Sequence, residues 1–204
     1  MTAEQAETFS RCMAVGGVAV FPADTVYGLA CDPDTPEAVR RLYGLKGRRP
    51  DKPAAVMFFR LELALAALPE LGSRTQAALG RLLPGPVTVL LPNPLEHFPL
   101  ACGPGATGTL GLRVPALSDA IAPLASVDWP VLQSSANRAG GDDPRTLDQV
   151  PEAIRTGADL LLDGGELGGT PSTLLDLRGY EGGGRWTVVR EGPVDRDWLA
   201  RRLD

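Results

Sequence analysis

Histidine occurs once in these 204 residues, as His97, so no pair of imidazoles is present to grip a metal or relay a proton. A lone histidine set among prolines reads as a surface residue and receives no role. Cysteine occurs three times, as Cys12, Cys31 and Cys102. Odd in number, scattered and without histidine clusters, the three indicate neither a disulfide framework nor a zinc site and are expected as small buried hydrophobes. No run approaches the roughly 18 apolar residues of a membrane span, and MTAEQAETFSRCM lacks the basic-then-apolar layout of a signal peptide. A cytoplasmic protein without membrane contact is expected. Also missing are GxxxxGKS and GxGxxG, which argues against P-loop and Rossmann nucleotide binding. A formal net charge of −5 argues against broad, sequence-independent nucleic-acid binding, which needs a positive surface, and leaves room only for a local basic cleft.

What the chain has is enough apolar residue, 44%, for one sizeable core. It also has one stretch in which chemistry concentrates, residues 18–58, VAVFPADTVYGLACDPDTPEAVRRLYGLKGRRPDKPAAVMF. Val18 to Phe21 reads as a buried strand that Pro22 closes, because proline donates no ladder hydrogen bond. Asp24, Thr25 and Tyr27 project from its end, and Gly28 stands where the backbone bends or approaches something closely. Pro36 suits the first turn of a helix carrying Val39, Leu42, Tyr43 and Leu45 on one face. Lys46, Arg48, Arg49 and Lys52 follow that helix and precede an apolar strand at 54–59. A phosphate-rich ligand is the natural counter-charge for four such cations, and a solvated basic loop is the competing reading. Position favours the ligand, since α/β sheets collect ligands at loops beyond strand carboxyl ends.

Before this stretch, Thr2 and Gln5 form a capping box for a helix over 3–15 that Gly16-Gly17 closes. After it come helices at 61–67 and 73–83, the second capped by Ser73 and Gln76, and a strand at 87–91. Residues 92–109 read as a long loop and so as a candidate lid. In the strand at 110–114, Arg113 interrupts an apolar end, where it either caps carbonyls or reaches a ligand carboxylate or phosphate; the ligand is favoured. A helix at 118–124 and a strand at 131–133 lead to the polar loop SSANRAGG, residues 134–141, either a strand-end site or a plain turn. A helix at 146–154, a strand at 160–162 and a glycine-rich connector at 164–170 follow. Antiparallel strands at 172–177 and 186–190 and a C-terminal helix burying Trp198 and Leu199 complete the reading.

PADTVYGLACD, KGRRPDKP, LPGPVTVLLP with GLRVP, and SSANRAGG followed by PSTLLDL and VVREG stand in the order that marks the YrdC-like threonylcarbamoyl-AMP synthases, and the resemblance covers nearly the whole chain. It implies one YrdC-like domain over residues 1–204, an α/β fold with a twisted mixed parallel and antiparallel sheet flanked by helices, and a basic concave surface. It further implies an enzyme that condenses L-threonine, bicarbonate and ATP, carried with Mg²⁺, to threonylcarbamoyl-AMP and pyrophosphate. A threonylcarbamoyl transferase complex then modifies tRNA, and contact with tRNA or double-stranded RNA is compatible with the basic cleft. Carried over by position, Lys46 and Arg48 look like catalytic and nucleotide-binding residues. Lys52, Thr109, Ser135, Asn137 and Arg190 look like further nucleotide ligands. Thr25, Arg113, Gln133 and Ser172 surround threonine, with Arg113 on its carboxylate. Asp24 is at most an outer partner of the metal.

The sequence departs from the family pattern where Ala23 replaces threonine, Arg49 replaces proline and Met57 replaces the histidine of many members. Loss of a hydroxyl and an imidazole near the threonine pocket bears on specificity, because sites built on hydrogen bonds discriminate by factors of roughly 10⁴. These two residues motivate an alternative, a divergent relative that binds nucleotide or double-stranded RNA without making the adenylate.

Overall fold

The structure, a computed structural model, describes residues 1–103, 105 and 107–204. In chain order the elements are α1 (Ala3–Ala14), β1 (Val18–Pro22), β2 (Tyr27–Cys31), α2 (Pro36–Lys46), β3 (Ala55–Met57), α3 (Leu61–Ala67) and α4 (Ser73–Leu82). There follow β4 (Val87–Pro92), α5 (Pro99–Cys102), β5 (Thr109–Arg113), β6 (Val131–Ser135), α6 (Glu152–Gly157), β7 (Leu160–Leu161), β8 (Thr173–Asp176), α7 (Tyr180–Gly183), β9 (Thr187–Arg190) and α8 (Arg196–Leu203). Among the described residues the strands form one nine-stranded sheet in the order β7-β1-β2-β6-β3-β5-β4-β8-β9. Its pairing is mixed: β1–β7, β3–β5 and β4–β8 run parallel and the other pairs antiparallel. No helix among the described residues is long and apolar enough to cross a membrane.

Strand alternation sends side chains to two faces, and the two faces are covered differently. On β4, Val87, Val89 and Leu91 enter the larger core with Leu110 and Leu112 of β5, Leu132 of β6 and Leu175 of β8. Ala38 and Leu42 of α2, Leu79 and Leu82 of α4, Ile154 of α6 and Leu199 and Leu203 of α8 close that face. The opposite face is covered over one end only. There α1 brings Phe9 against Phe21 and Phe59, with ring centroids 5.3 and 5.8 Å away, and Leu124 seals the edge beside Met57 and Val131. Among the described residues no helix of the apolar clusters covers the second face over β5, β4 and β8.

Several expectations change in detail. Tyr27 to Cys31, given no strand from the sequence, is a strand paired with β1 through a four-residue turn, because Pro22 ends the ladder without ending the hairpin. The helix expected at 118–124 is a single 3₁₀ turn at Ala122–Ser126, and the one expected at 146–154 splits at Pro151 into a 3₁₀ turn at Leu147–Gln149 and α6. Ser73 does not cap α4. The Glu181 carboxylate does so from α7, accepting from Thr75 N and Thr75 Oγ1 at 2.8 Å each. Trp198 is half-buried, and Leu199 with Leu203 forms the buried edge of α8. Within the segment 92–109, read as a candidate lid and including residues 104 and 106 outside the described ones, Asn93 Nδ2 donates to His97 O and Thr107 O, its Oδ1 accepts from His97 N, and Pro99–Cys102 forms α5.

Because Phe9 is fully buried and joins α1 to two aromatic partners on the sheet, Phe9→Ala is expected to cost about 3–5 kcal/mol, read as a lower urea midpoint with unchanged slope.

Candidate functional site

The uncovered part of the sheet is the floor of a cavity of about 320 Å³. Thr88 and Leu90 of β4, Thr109, Gly111 and Arg113 of β5, Ala55 of β3, Gln133 and Ser135 of β6 and Leu174 of β8 face it, the residues out of phase with those in the larger core. Arg48 enters from the loop after α2, Ser172 from the residue before β8, and Arg190 from β9. Gly28 in β2 is required by close approach: a Cβ there would stand 2.8 Å from Gln133 Nε2 and 3.1 Å from the Phe21 ring.

One wall is a stitched pair of loops. Lys46 ends α2, whose last turn is closed by Gly47 in the left-handed conformation at φ 59°. The Lys46 side chain is 1% exposed, and Nζ donates to Ser135 O, to Asn137 O at 2.9 Å and to Asn137 Oδ1 at 2.8 Å. Ala139 N adds a backbone bond to Lys46 O at 2.8 Å. An ammonium has three protons, so Lys46 is fully engaged inside the turn. Asn137 is likewise consumed: its Oδ1 also accepts from Ser135 Oγ, and its Nδ2 donates to Gly141 O. Burial, and then the nearby Arg48 charge, push the Lys46 pKa down to about 8, while Asp143 opposes them.

The four cations of KGRRPDK therefore separate. Lys46 is buried in the wall, and Arg48 is half-buried over the Tyr43 ring at 5.8 Å and lines the cavity. Arg49 pairs with Asp51 on the surface, and Lys52 is exposed and stands outside the cavity lining.

The other wall centres on Arg113, which is 3% exposed. Its guanidinium donates to the Asp24 carboxylate, to Ala23 O at 3.1 Å, to Thr25 Oγ1 at 2.8 Å and to Ser172 Oγ at 3.3 Å. Its Nε is buried without a partner among the described residues. Asp24 sits at φ 69° and takes the Thr25 and Ala116 amides as well. Burial pushes the Asp24 carboxyl up against the pull of Arg113, and burial lowers Arg113 from its ordinary value. A guanidinium has far to fall before losing its proton, so the two form an ion pair at neutral pH.

Of the eleven sequence-predicted site residues, Arg48, Thr109, Arg113, Gln133, Ser135, Ser172 and Arg190 line one cavity. Thr25 lies under Arg113, Lys46 and Asn137 knot the wall, and Lys52 is apart. Ala23 and Met57, 1% and 0% exposed, belong to the apolar cluster under α1, with Met57 in register beside Arg113. Sequence reasoning missed Thr88, whose Oγ1 lies 2.7 Å from Ser172 Oγ, and Asp143, the one carboxylate among the described lining residues. The hydroxyl out of phase in VTVLL was a readable signal for Thr88; GGDDP carried none for Asp143.

A family model described as Sua5/YciO/YrdC, telomere recombination, matches residues 11–192. The chain belongs to the Sua5/YciO/YrdC family. It is 35% identical over 170 residues to a threonylcarbamoyl-AMP synthase of Thiobacillus denitrificans, covering 79% of this chain and 85% of that protein. To a threonylcarbamoyl-AMP synthase of Pyrococcus abyssi it is 32% identical over 166 residues, covering 79% of this chain and 47% of that protein, so it spans about half of the Pyrococcus relative. A crystal structure of P. abyssi Sua5 complexed with L-threonine superposes with a TM-score of 0.85 at 25% identity, covering 100% of this chain and 58% of that one. In this Sua5/YciO/YrdC chain the KGR and SSAN segments thus meet in one wall, opposite a buried arginine.

The buried Lys46 gives a test of that wall. An unfolded lysine releases its proton near 10.5 and the folded one near 8, so between those values the unfolded chain holds the extra proton and stability rises with pH. Cys12 and Cys31, raised to about 11 and about 12 by burial, act in the opposite sense. The difference between wild type and Lys46→Met in urea melts isolates the lysine: it should grow in favour of wild type by up to about 3 kcal/mol from pH 7.5 to 10.5. A flat difference would show that Lys46 keeps its ordinary pKa.

Proposed function

We propose that this chain is a threonylcarbamoyl-AMP synthase. The observation that carries the reading is the meeting, in one cavity, of Arg48 and Arg190 beside the Ser135 turn with a buried Arg113 next to Ser172. Arg48 and Arg190 have no carboxylate partner among the described residues and suit a nucleotide phosphate chain, while Arg113, already paired with Asp24, is assigned the amino-acid carboxylate.

In this reading Arg113 takes the threonine carboxylate, with Thr25, Gln133 and Ser172 around the rest of the amino acid. Arg48, Thr109, Ser135 and Arg190 hold the nucleotide. Lys46 and Asn137 act through the turn they fix, and Lys52 carries no step. The threonine amine adds to bicarbonate with loss of water, giving an N-carboxy anion. One of its oxygens attacks the α-phosphorus of ATP while the bond to the departing pyrophosphate breaks. No protein nucleophile is needed, so the contribution of the site is orientation, with an upper range of roughly 7–11 kcal/mol, and neutralisation of charge building on the phosphates by Arg48 and Arg190. The mixed anhydride then passes to a transferase that places the threonylcarbamoyl group on tRNA.

Pyrophosphate release from ATP is expected to require both L-threonine and bicarbonate; release indifferent to either would sink the reading. Arg113→Lys keeps the charge and loses the planar fork, so KM for threonine should rise on the order of tenfold or more with KM for ATP nearly unchanged. Equal loss for both substrates would remove Arg113 from the carboxylate.

A further inference from the structure

Asp143 is out of place in a cavity built for anions. Three arginines, Arg48, Arg113 and Arg190, line that cavity, and Asp143 is the one carboxylate among its described lining residues. It follows the SSAN turn and stands beside Asn137 of that turn. Nothing in the protein uses it fully. Among the described residues no salt bridge includes it, and its single hydrogen bond, from Asn137 Nδ2 to Oδ1, is 3.4 Å long. Lys46, which shares Asn137 with it, sends its three protons to Ser135 O, Asn137 O and Asn137 Oδ1 instead.

A bare carboxylate beside a triphosphate repels it, and the repulsion reverses when a divalent cation lies between them. Mg²⁺ is bound in this way, by phosphate oxygens with one or two carboxylates and retained waters. Asp24 is committed to Arg113 and two backbone amides. Resting on the adenylate-forming reading above, we infer that Asp143 is the protein's oxygen ligand for the divalent cation that arrives with ATP, directly or through one of its waters, and that it makes nucleotide binding depend on the metal. In the absence of metal it acts as a filter against free triphosphate.

Binding of ATP by calorimetry, with Mg²⁺ and with EDTA, tests this without reference to turnover. Wild type should bind ATP at least about tenfold more tightly with Mg²⁺ than with EDTA. Asp143→Asn should bind metal-free ATP more tightly than wild type does, and its gain from Mg²⁺ should shrink to within about twofold. Asp143→Glu, which keeps the carboxylate, and Asp142→Asn, an exposed neighbour outside the cavity lining, should both retain the wild-type gain. An unchanged Mg²⁺ gain in Asp143→Asn overturns the inference while leaving the adenylate reading intact. That pattern with slowed turnover would mark Asp143 as a base for the amine. Failure of wild type to bind ATP under either condition overturns both.

Discussion

The ammonium of Lys46, sunk into the carbonyls of the Ser135–Asn137 turn, is the contact on which the site depends. Taking an ammonium out of water costs several kcal/mol unless its protons are all received. Here three oxygens receive them, and two loops 91 residues apart in sequence become one wall. The consequence reaches the cavity directly. Arg48, two residues beyond the lysine, and Ser135, whose carbonyl holds it, are fixed relative to one another before any ligand enters. A site whose chemistry is orientation and charge neutralisation gains most from such rigidity, since no reorganisation remains for the moment of reaction.

A second constraint is that the sheet is covered unevenly. Helices close one face from end to end, while α1 and the 3₁₀ turn close only one end of the other. The Asp24–Arg113 pair sits at the boundary, with the apolar cluster on one side and the cavity on the other. Asp24 reaches its arginine from a left-handed backbone conformation, tolerable for aspartate, and two amides and a guanidinium hold it there. The guanidinium is held at that boundary by Asp24, Ala23, Thr25 and Ser172, which anchor its two terminal nitrogens.

Much of this was legible in the sequence, for identifiable reasons. The capping box of Thr2 and Gln5, Pro36 at the start of α2 and the out-of-phase Arg113 are local signals, and each survives in the structure. The hairpin from β1 to β2 was hidden because Pro22 looks like a terminator when only its own hydrogen bond is considered. The cap on α4 was hidden because its donor groups are served by Glu181, 106 residues away from Thr75. Charge density misled in a different way. Four cations in KGRRPDK look alike in sequence, yet helix phase buries Lys46, an adjacent Asp51 occupies Arg49, and only Arg48 lines the cavity. Which cation does what is decided by partners far along the chain, and no local pattern records them.

The same distinction bears on Ala23 and Met57, the two departures from the family pattern that lie beside Arg113. Their side chains pack into the cluster under α1, so the floor behind Arg113 is apolar and offers a ligand neither a hydroxyl nor an imidazole. On the proposed reading, polar recognition of threonine comes from the open side, where Thr88, Ser172 and Gln133 line the cavity and Thr88 Oγ1 already meets Ser172 Oγ at 2.7 Å. A ligand hydroxyl entering there joins an existing hydroxyl pair. An analogue without that hydroxyl leaves the pair intact, bonded to each other, and so escapes the heavy penalty of an unpaired buried polar group. Discrimination against a missing hydroxyl is therefore weaker at such a pair than at a lone buried donor, and the fit of one methyl, worth only about 1–3 kcal/mol, becomes comparable in weight.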